Sequence, residues 1–406
     1  MVRTSNFFFI FGLSWLVGTT FGALDEEGEL LFLQLLYRHG ERTPVGFYPN
    51  DPYKSMDHWP VRPGQLLNAG KWRHYELGQW LRQRYDGFIG AEYDPAQIHI
   101  QSSNVDRTLM SAQCNLLGLF PPVGTDRWNP NLMWQPIPVH TRPADEDLFL
   151  RSDAACPTAD AELLQVRNSA AVQKVRNENE DLLEYLKLHS GDETHDVIAL
   201  SDQIYDTLFI EEGNNFTLPN WTKSVYPEKL RPLAAFSFSI ITLSPTLRKF
   251  RGGPLVALMV ENMKKKIGRG EGVGFDLREL ATFDSSFREL RKVEVFSAHD
   301  ITIAMFLGAL DLFPPQLPSY ASTVMVELRR GNVTEAGGDP YFVKMIIRNS
   351  TGVHVLKLPG CEELCPLVEF DRLTKTVQIS EERWKKECVL EMSLEITRDA
   401  FFGAYH

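Results

Sequence analysis

The chain has 406 residues, 43% of them hydrophobic and 23% charged, the composition of an ordinary globular protein. Its length suits one large domain with an inserted lobe, or two domains. A formal charge of −11 argues against nucleic acid as a partner, because phosphate backbones call for basic stripes.

Residues 1–22 read as a cleaved secretory leader. Arg3 supplies the positive start, residues 7–17 the apolar stretch, and Thr20 and Gly22 the small residues before a cut near Gly22/Ala23. The stretch is shorter than the ~20 apolar residues a spanning helix needs. Arg3 is its only charged side chain, so removal takes the charge from −11 to −12. No later segment is long and apolar enough to span, and a soluble, secreted product is expected, with a lysosomal lumen as the second choice.

Three segments then share one pattern of strand, polar loop and helix. Residues 31–37 are apolar almost throughout, as in a strand buried on both faces, and they run into Arg38-His-Gly-Glu-Arg-Thr-Pro44. Residues 98–100 alternate and lead into Ser102-Ser-Asn-Val-Asp-Arg107, followed by a helix over 108–119 that Pro121-Pro122 stops. Residues 293–296 lead into Ser297-Ala-His-Asp300 and an apolar helix over 301–312. Strands alternating with helices predict an α/β fold with a mixed, largely parallel sheet flanked by helices. Ligands of such sheets bind beyond the carboxyl ends of the strands, where all three loops lie.

Elsewhere, Leu77, Trp80, Leu81 and Tyr85 share one face of a helix over 70–85. From about residue 160 the composition turns helical, giving an inserted lobe at 156–285 between two parts of the α/β domain, 23–155 and 286–406. The run Gly-Arg-Gly-Glu-Gly-Val-Gly at 268–274 follows no strand and has no Gly-Lys-Ser/Thr ending, so it reads as a plain loop. Residues 323–329, 341–347 and 354–358 read as antiparallel strands.

Sequons at Asn215, Asn220, Asn332 and Asn349 are surface glycan candidates. The five cysteines allow two disulfides and one leftover thiol. Cys361 and Cys365 flank a loop they could close, and Cys114 reads as a buried core thiol. No cysteine or histidine set has zinc spacing, and there is no HExxH or Asp-rich motif, so neither metal nor other cofactor is expected. His58, His74, His99, His140 and His354 read as structural, and His189 and His195 lie on a polar stretch.

The chemistry concentrates in the first loop. Arg38, His39 and Arg42 terminate a buried strand, where two guanidiniums are costly unless an anion or carboxylate meets them. Guanidiniums grip phosphate with paired N–H donors and stay charged at any relevant pH. Gly40 would let the backbone approach a ligand closely. Positive neighbours disfavour imidazolium, leaving His39 neutral and nucleophilic. Arg107 and His299 would complete a cradle for a transferring phosphoryl group, and Asp300 is the natural proton donor to the leaving alkoxide.

The Arg38-to-Pro44 segment matches the RHGxRxP signature of the histidine acid phosphatases, and Ser297-Ala-His-Asp300 matches their HD motif. Gly64-Gln-Leu66, His74-Tyr-Glu-Leu-Gly78, Asp106-Arg-Thr-Leu-Met-Ser111, Trp134-Gln-Pro-Ile-Pro138 and Leu358-Pro-Gly-Cys-Glu362 resemble the prostatic, lysosomal and insect-venom branch. The resemblance implies a phosphoglycerate mutase-like fold and an acid phosphatase acting on small-molecule or phosphoprotein monoesters. It implies His39 as the phosphohistidine, Arg38, Arg42, Arg107 and His299 as phosphate ligands, and Asp300 as acid. It also implies the disulfides Cys156–Cys388 and Cys361–Cys365. Family members are often homodimers, although no motif here specifies one. The alternatives are an inositol-polyphosphate phosphatase or phosphotransferase of the same superfamily, or a secreted binding protein on this scaffold.

Overall fold

A computed structural model describes residues 27–269, 291–331 and 339–389. The leader at 1–22, the sequon at Asn332 and most of the 268–274 run lie outside the described residues.

The strands are β1 (Glu29–Arg38), β2 (Ile98–Ser102), β3 (Val293–Ala298), β4 (Thr323–Arg330), β5 (Tyr341–Asn349), β6 (Gly352–Leu356) and β7 (Leu364–Pro366). They form one mixed sheet in the order β2-β3-β1-β4-β5-β6, with β7 beside β5. Pairing is parallel within β2-β3-β1 and antiparallel from β4 onward, where the sequence reads as strands joined by polar turns.

The continuous apolar run of β1 follows from its central place. Phe32 and Leu36 enter the core on one face, while Leu33, Leu35 and Tyr37 enter the core on the other. Gln34, also buried, donates its Nε2–H to the Met259 carbonyl at 3.0 Å, which makes its burial affordable.

The helices are α1 (Asn68–Arg84), α2 (Asp106–Leu119), α3 (Pro157–Arg167), α4 (Ala170–Asn177), α5 (Glu180–Ser190), α6 (Val197–Gly213), α7 (Leu230–Ile240) and α8 (Pro245–Lys266). After β3 come α9 (Asp300–Ala309), α10 (Leu367–Thr374) and α11 (Glu381–Glu387). Leu77 and Leu81 of α1 and Leu116 and Leu119 of α2 pack on the face that carries Leu33 and Leu35. Val256 and Met259 of α8 and Ile303 and Phe306 of α9 cover the opposite face. A third core lies apart from the sheet, built by Leu186, Ile204, Leu208, Leu230 and Ala234 together with Tyr48 from the loop after β1.

Two boundaries differ from the sequence expectation in a way that matters. α2 begins at Asp106, placing Arg107 in its first turn, and α9 begins at Asp300. The expected strand at 354–358 lies two residues earlier, because Gly352, with φ 129°, turns the chain straight back from β5.

Both disulfides are formed, Cys156–Cys388 and Cys361–Cys365. Cys114 is unpaired but only half-buried on α2, so it does not belong to the core as expected. Asn215 and Asn220 are exposed, whereas Asn349 is half-buried at the end of β5. No single helix among the described residues is long and apolar enough to cross a membrane.

Candidate active site

The strand register pairs Arg38 with Ala298 and Ser102 with Ser297, so three adjacent parallel strands end level. Their polar loops therefore leave the carboxyl edge of the sheet side by side. Arg38 is the last residue of β1, Arg107 lies in the first turn of α2, His299 caps α9 and Asp300 opens it.

His39 is fully buried, and its Nδ1 lies 2.8 Å from the Gly40 carbonyl oxygen. A carbonyl only accepts, so Nδ1 carries the hydrogen and Nε2 keeps its lone pair. Burial first, then Arg107, Arg38, His299 and Arg42, push the pKa of this imidazole well below its ordinary value. The ring is therefore neutral, with a free lone pair.

The loop behind His39 is held rigidly. The buried His74 donates its Nε2–H to the Arg38 carbonyl at 3.0 Å, and the Gly40 amide donates to Ser111 Oγ at 3.1 Å. The close approach that Gly40 permits is to α1: a Cβ there would sit 2.4 Å from the Gly70 carbonyl oxygen. A Cβ on Gly70 would sit 2.4 Å from that of Glu41. Gly40 thus serves backbone packing here, where the sequence suggested approach to a ligand.

Each arginine has a definite anchor. Arg38 donates from Nη1 to the Pro318 carbonyl at 2.5 Å, pairs with Asp300 through Nη2 at 2.6 Å, and has its guanidinium carbon 4.1 Å from the Tyr320 ring centroid. Arg42 is held by both oxygens of Asp206, at 3.0 and 3.1 Å. Arg107 reaches His299 Nδ1 from Nη2 at 3.5 Å. Burial and the charges of Arg42 and Arg38 bring the Arg107 pKa down to about 10. The Nε of all three guanidiniums is buried without a protein acceptor.

His299 is neutral as well. Burial, then Arg107, brings it down to about 3, and its Nε2 lies 2.9 Å from Ser103 Oγ. Its ring centroid is 5.6 Å from that of His39. Asp300 behaves oppositely: burial raises its carboxyl, but Arg38, Arg42, His299 and the Ile301 amide outweigh that and hold it below its ordinary value.

The six residues read from sequence thus meet in one place. Three more were missed. Asp206 and Asp202 come from α6, and Tyr320 from the turn before β4. The available signal was a pair of aspartates one helical turn apart within the largely apolar Ile198–Ile210 run, which needs cations or protons to be tolerated. Tyr320 had no signal. Of the remaining histidines, His99 bonds Glu294 at 2.9 Å, His140 stacks on His99 with centroids 4.9 Å apart, and His189 stacks on Trp221. No cluster that could hold a metal ion occurs among the described residues. What the site offers is a buried, neutral imidazole, three guanidiniums with spare donors and a carboxyl group, a set suited to phosphoryl transfer.

Comparison with known proteins agrees with this chemistry. Prostatic acid phosphatase of Bos taurus is 38% identical over 368 residues, covering 89% of this chain and 88% of that protein. Human lysosomal acid phosphatase is 37% identical over 369 residues, covering 89% and 80%. Among solved structures, the phytase from Citrobacter braakii superposes with a TM-score of 0.65 over 89% of this chain and 100% of its own, at 19% identity, a likeness of fold. Residues 29–355 match the family model for the histidine phosphatase superfamily, branch 2, which spans both the β1 and the β3 loops of the site, and the chain belongs to that family.

Proposed function

We propose that this protein is a secreted acid phosphatase that hydrolyses phosphomonoesters through a covalent phosphohistidine on His39. The observation that carries the reading is His39 itself, a buried, neutral imidazole with Nδ1 committed to the Gly40 carbonyl, set among Arg38, Arg42 and Arg107.

In the first step Nε2 of His39 attacks phosphorus and the bond to the ester oxygen breaks. That oxygen takes the proton of the Asp300 carboxyl and leaves as an alcohol. Arg38, Arg42 and Arg107 hold the equatorial oxygens, joined by His299 in the tautomer that carries its hydrogen on Nδ1, with Ser103 Oγ donating to Nε2. In the second step water attacks the phosphohistidine, Asp300 accepts its proton, and inorganic phosphate departs with His39 and Asp300 restored.

His39→Ala tests this directly. It should keep the wild-type unfolding profile, lose the alkali-quenched, labelled phosphoenzyme, and lower kcat by about 10³-fold or more. Unchanged turnover would overturn the reading.

The secreted location rests on the leader-like residues 1–22, the exposed sequons Asn215 and Asn220, and two disulfides suited to an oxidising compartment. A mature amino terminus near Ala23 and a mass shift on glycosidase treatment are the expected observations.

A further inference from the structure

Helix α6 brings two carboxyls, Asp202 and Asp206, against the cradle one turn apart. Asp206 grips Arg42 through both oxygens, and Asp300 grips Arg38. With His39 and His299 neutral, three guanidiniums face two carboxylates and one positive charge remains. The state of Asp202 therefore decides whether the cradle is cationic at all.

The hydrogen bonds at Asp202 indicate that state. Ser237 Oγ, on α7, lies 2.8 Å from Asp202 Oδ2 and 2.8 Å from the Ala234 carbonyl oxygen. A hydroxyl carries one hydrogen, and a carbonyl can only accept it. An ionised Asp202 would have to share the single Ser237 hydrogen with Ala234, whereas a carboxylic acid at Asp202 can donate to Ser237 Oγ while Ser237 donates to Ala234, giving each contact its own hydrogen. The charged groups facing Asp202 are Asp206 on its own helix, Asp300 at the start of α9, and Arg42 from the loop after β1. Burial raises the Asp202 carboxyl to about 7, helped by Asp206 and Asp300 and opposed by Arg42 and by Ser237 when its hydroxyl donates to the ionised form.

We propose that Asp202 and Asp206 determine the ionic form of phosphate that the site accepts. Asp206 removes one positive charge from the cradle, and the neutral Asp202 acid leaves room for a monoanion. The inference rests on the phosphatase reading for the identity of the ligand. At acid pH a singly charged phosphate ester then neutralises a singly charged cradle. As pH rises, Asp202 ionises and the ester gains its second charge, so binding weakens from both sides. Acid preference in this protein would thus lie in binding as well as in the proton on Asp300.

The test is calorimetric titration of the full chain with inorganic phosphate, which needs no turnover, at about pH 5 and about pH 7.5, either side of the expected ionisations. Wild-type affinity should fall by about tenfold or more between them. Asp202→Asn keeps a neutral donor to Ser237 and should match wild type within about twofold at the lower pH, with the fall reduced about fivefold. Asp206→Asn frees a positive charge and should bind phosphate about tenfold more tightly than wild type at the higher pH. A wild-type slope in Asp202→Asn, or equal weakening at both pH values in Asp206→Asn, would overturn the inference. Isotope-edited infrared spectra give a readout that packing alone does not move: a protonated-carboxyl band lost in Asp202→Asn supports the proposal, and an unchanged spectrum refutes it. An inactive chain that binds phosphate with the expected slope would refute hydrolysis and leave this inference standing; an active chain with two unchanged slopes would do the reverse.

Discussion

At the scale of single residues, the donor role proposed for Asp300 places two demands on it. As a proton donor it needs its proton, yet Arg38 at 2.6 Å keeps it ionised in the free protein. A phosphate bound to Arg38 competes for that guanidinium and adds negative charge beside the carboxyl, which draws the proton back. Protonation is then coupled to substrate binding. Asp300→Asn should accordingly lower kcat for alkyl phosphates by about 10²- to 10³-fold while scarcely affecting nitrophenyl phosphate, whose leaving group needs no proton. A plot of log kcat against leaving-group pKa checks this, and equal losses for both ester types would remove Asp300 from the donor role. His39 and its neighbours in the Arg38-to-Pro44 loop were legible in sequence because they are contiguous. Asp206 was not, since an aspartate in a helix 164 positions away reveals its partner only once Arg42 lies beside it.

At the scale of elements, the catalytic loop depends on how closely β1 and α1 approach. With Gly70 in contact with the backbone of Gly40 and Glu41, an added methyl has nowhere to go. Gly70→Ala should destabilise the fold by about 1–3 kcal/mol and displace His39, lowering kcat more than it raises KM. Chemical denaturation and steady-state kinetics together measure both effects. A second contact ties the loop after β1 to α6. Asp51 and Glu211 are buried against each other, beside the buried hydroxyl of Tyr48, with Lys54 and His58 near Asp51 and the Tyr53 amide bonded to its Oδ1 at 2.7 Å. Burial, then the charge of Asp51, pushes the Glu211 carboxyl up to about 9, so the pair shares a proton. A folded-state pKa above the unfolded one contributes stability that is complete below the ordinary carboxylate range and is lost as pH rises toward that value. Wild-type Tm should fall between about pH 5 and pH 8, and Glu211→Gln, which stays neutral, should flatten that slope. Parallel Tm profiles for the two proteins would refute the shared proton.

At the scale of the whole molecule, the two disulfides do unequal work. Cys156–Cys388 joins residues 232 apart and fastens the start of α3 to the end of α11, whereas Cys361–Cys365 spans four. In the chain-entropy limit the long bridge is worth about 5 kcal/mol and the short one about 2. Replacing Cys156 and Cys388 by Ala should therefore lower the denaturation midpoint clearly more than replacing the other pair. Equal losses would show that native-state contacts, not loop closure, govern both.

What the amino-acid sequence determined by itself was local. A continuous apolar run marked β1 as a strand buried on both faces, and the polar residues that follow it, with those after β2 and β3, marked the edge where a phosphate would bind. Such signals survive in sequence because strand periodicity and motif spacing act over a few residues. Only the tertiary structure decided the charge of the site. It brought α6 and Tyr320 against the arginines, paired Arg42 with Asp206, set Asp202 beside Ser237, and packed Gly40 on Gly70. Electrostatic energies depend on distance and burial, and neither is written in the order of residues along the chain.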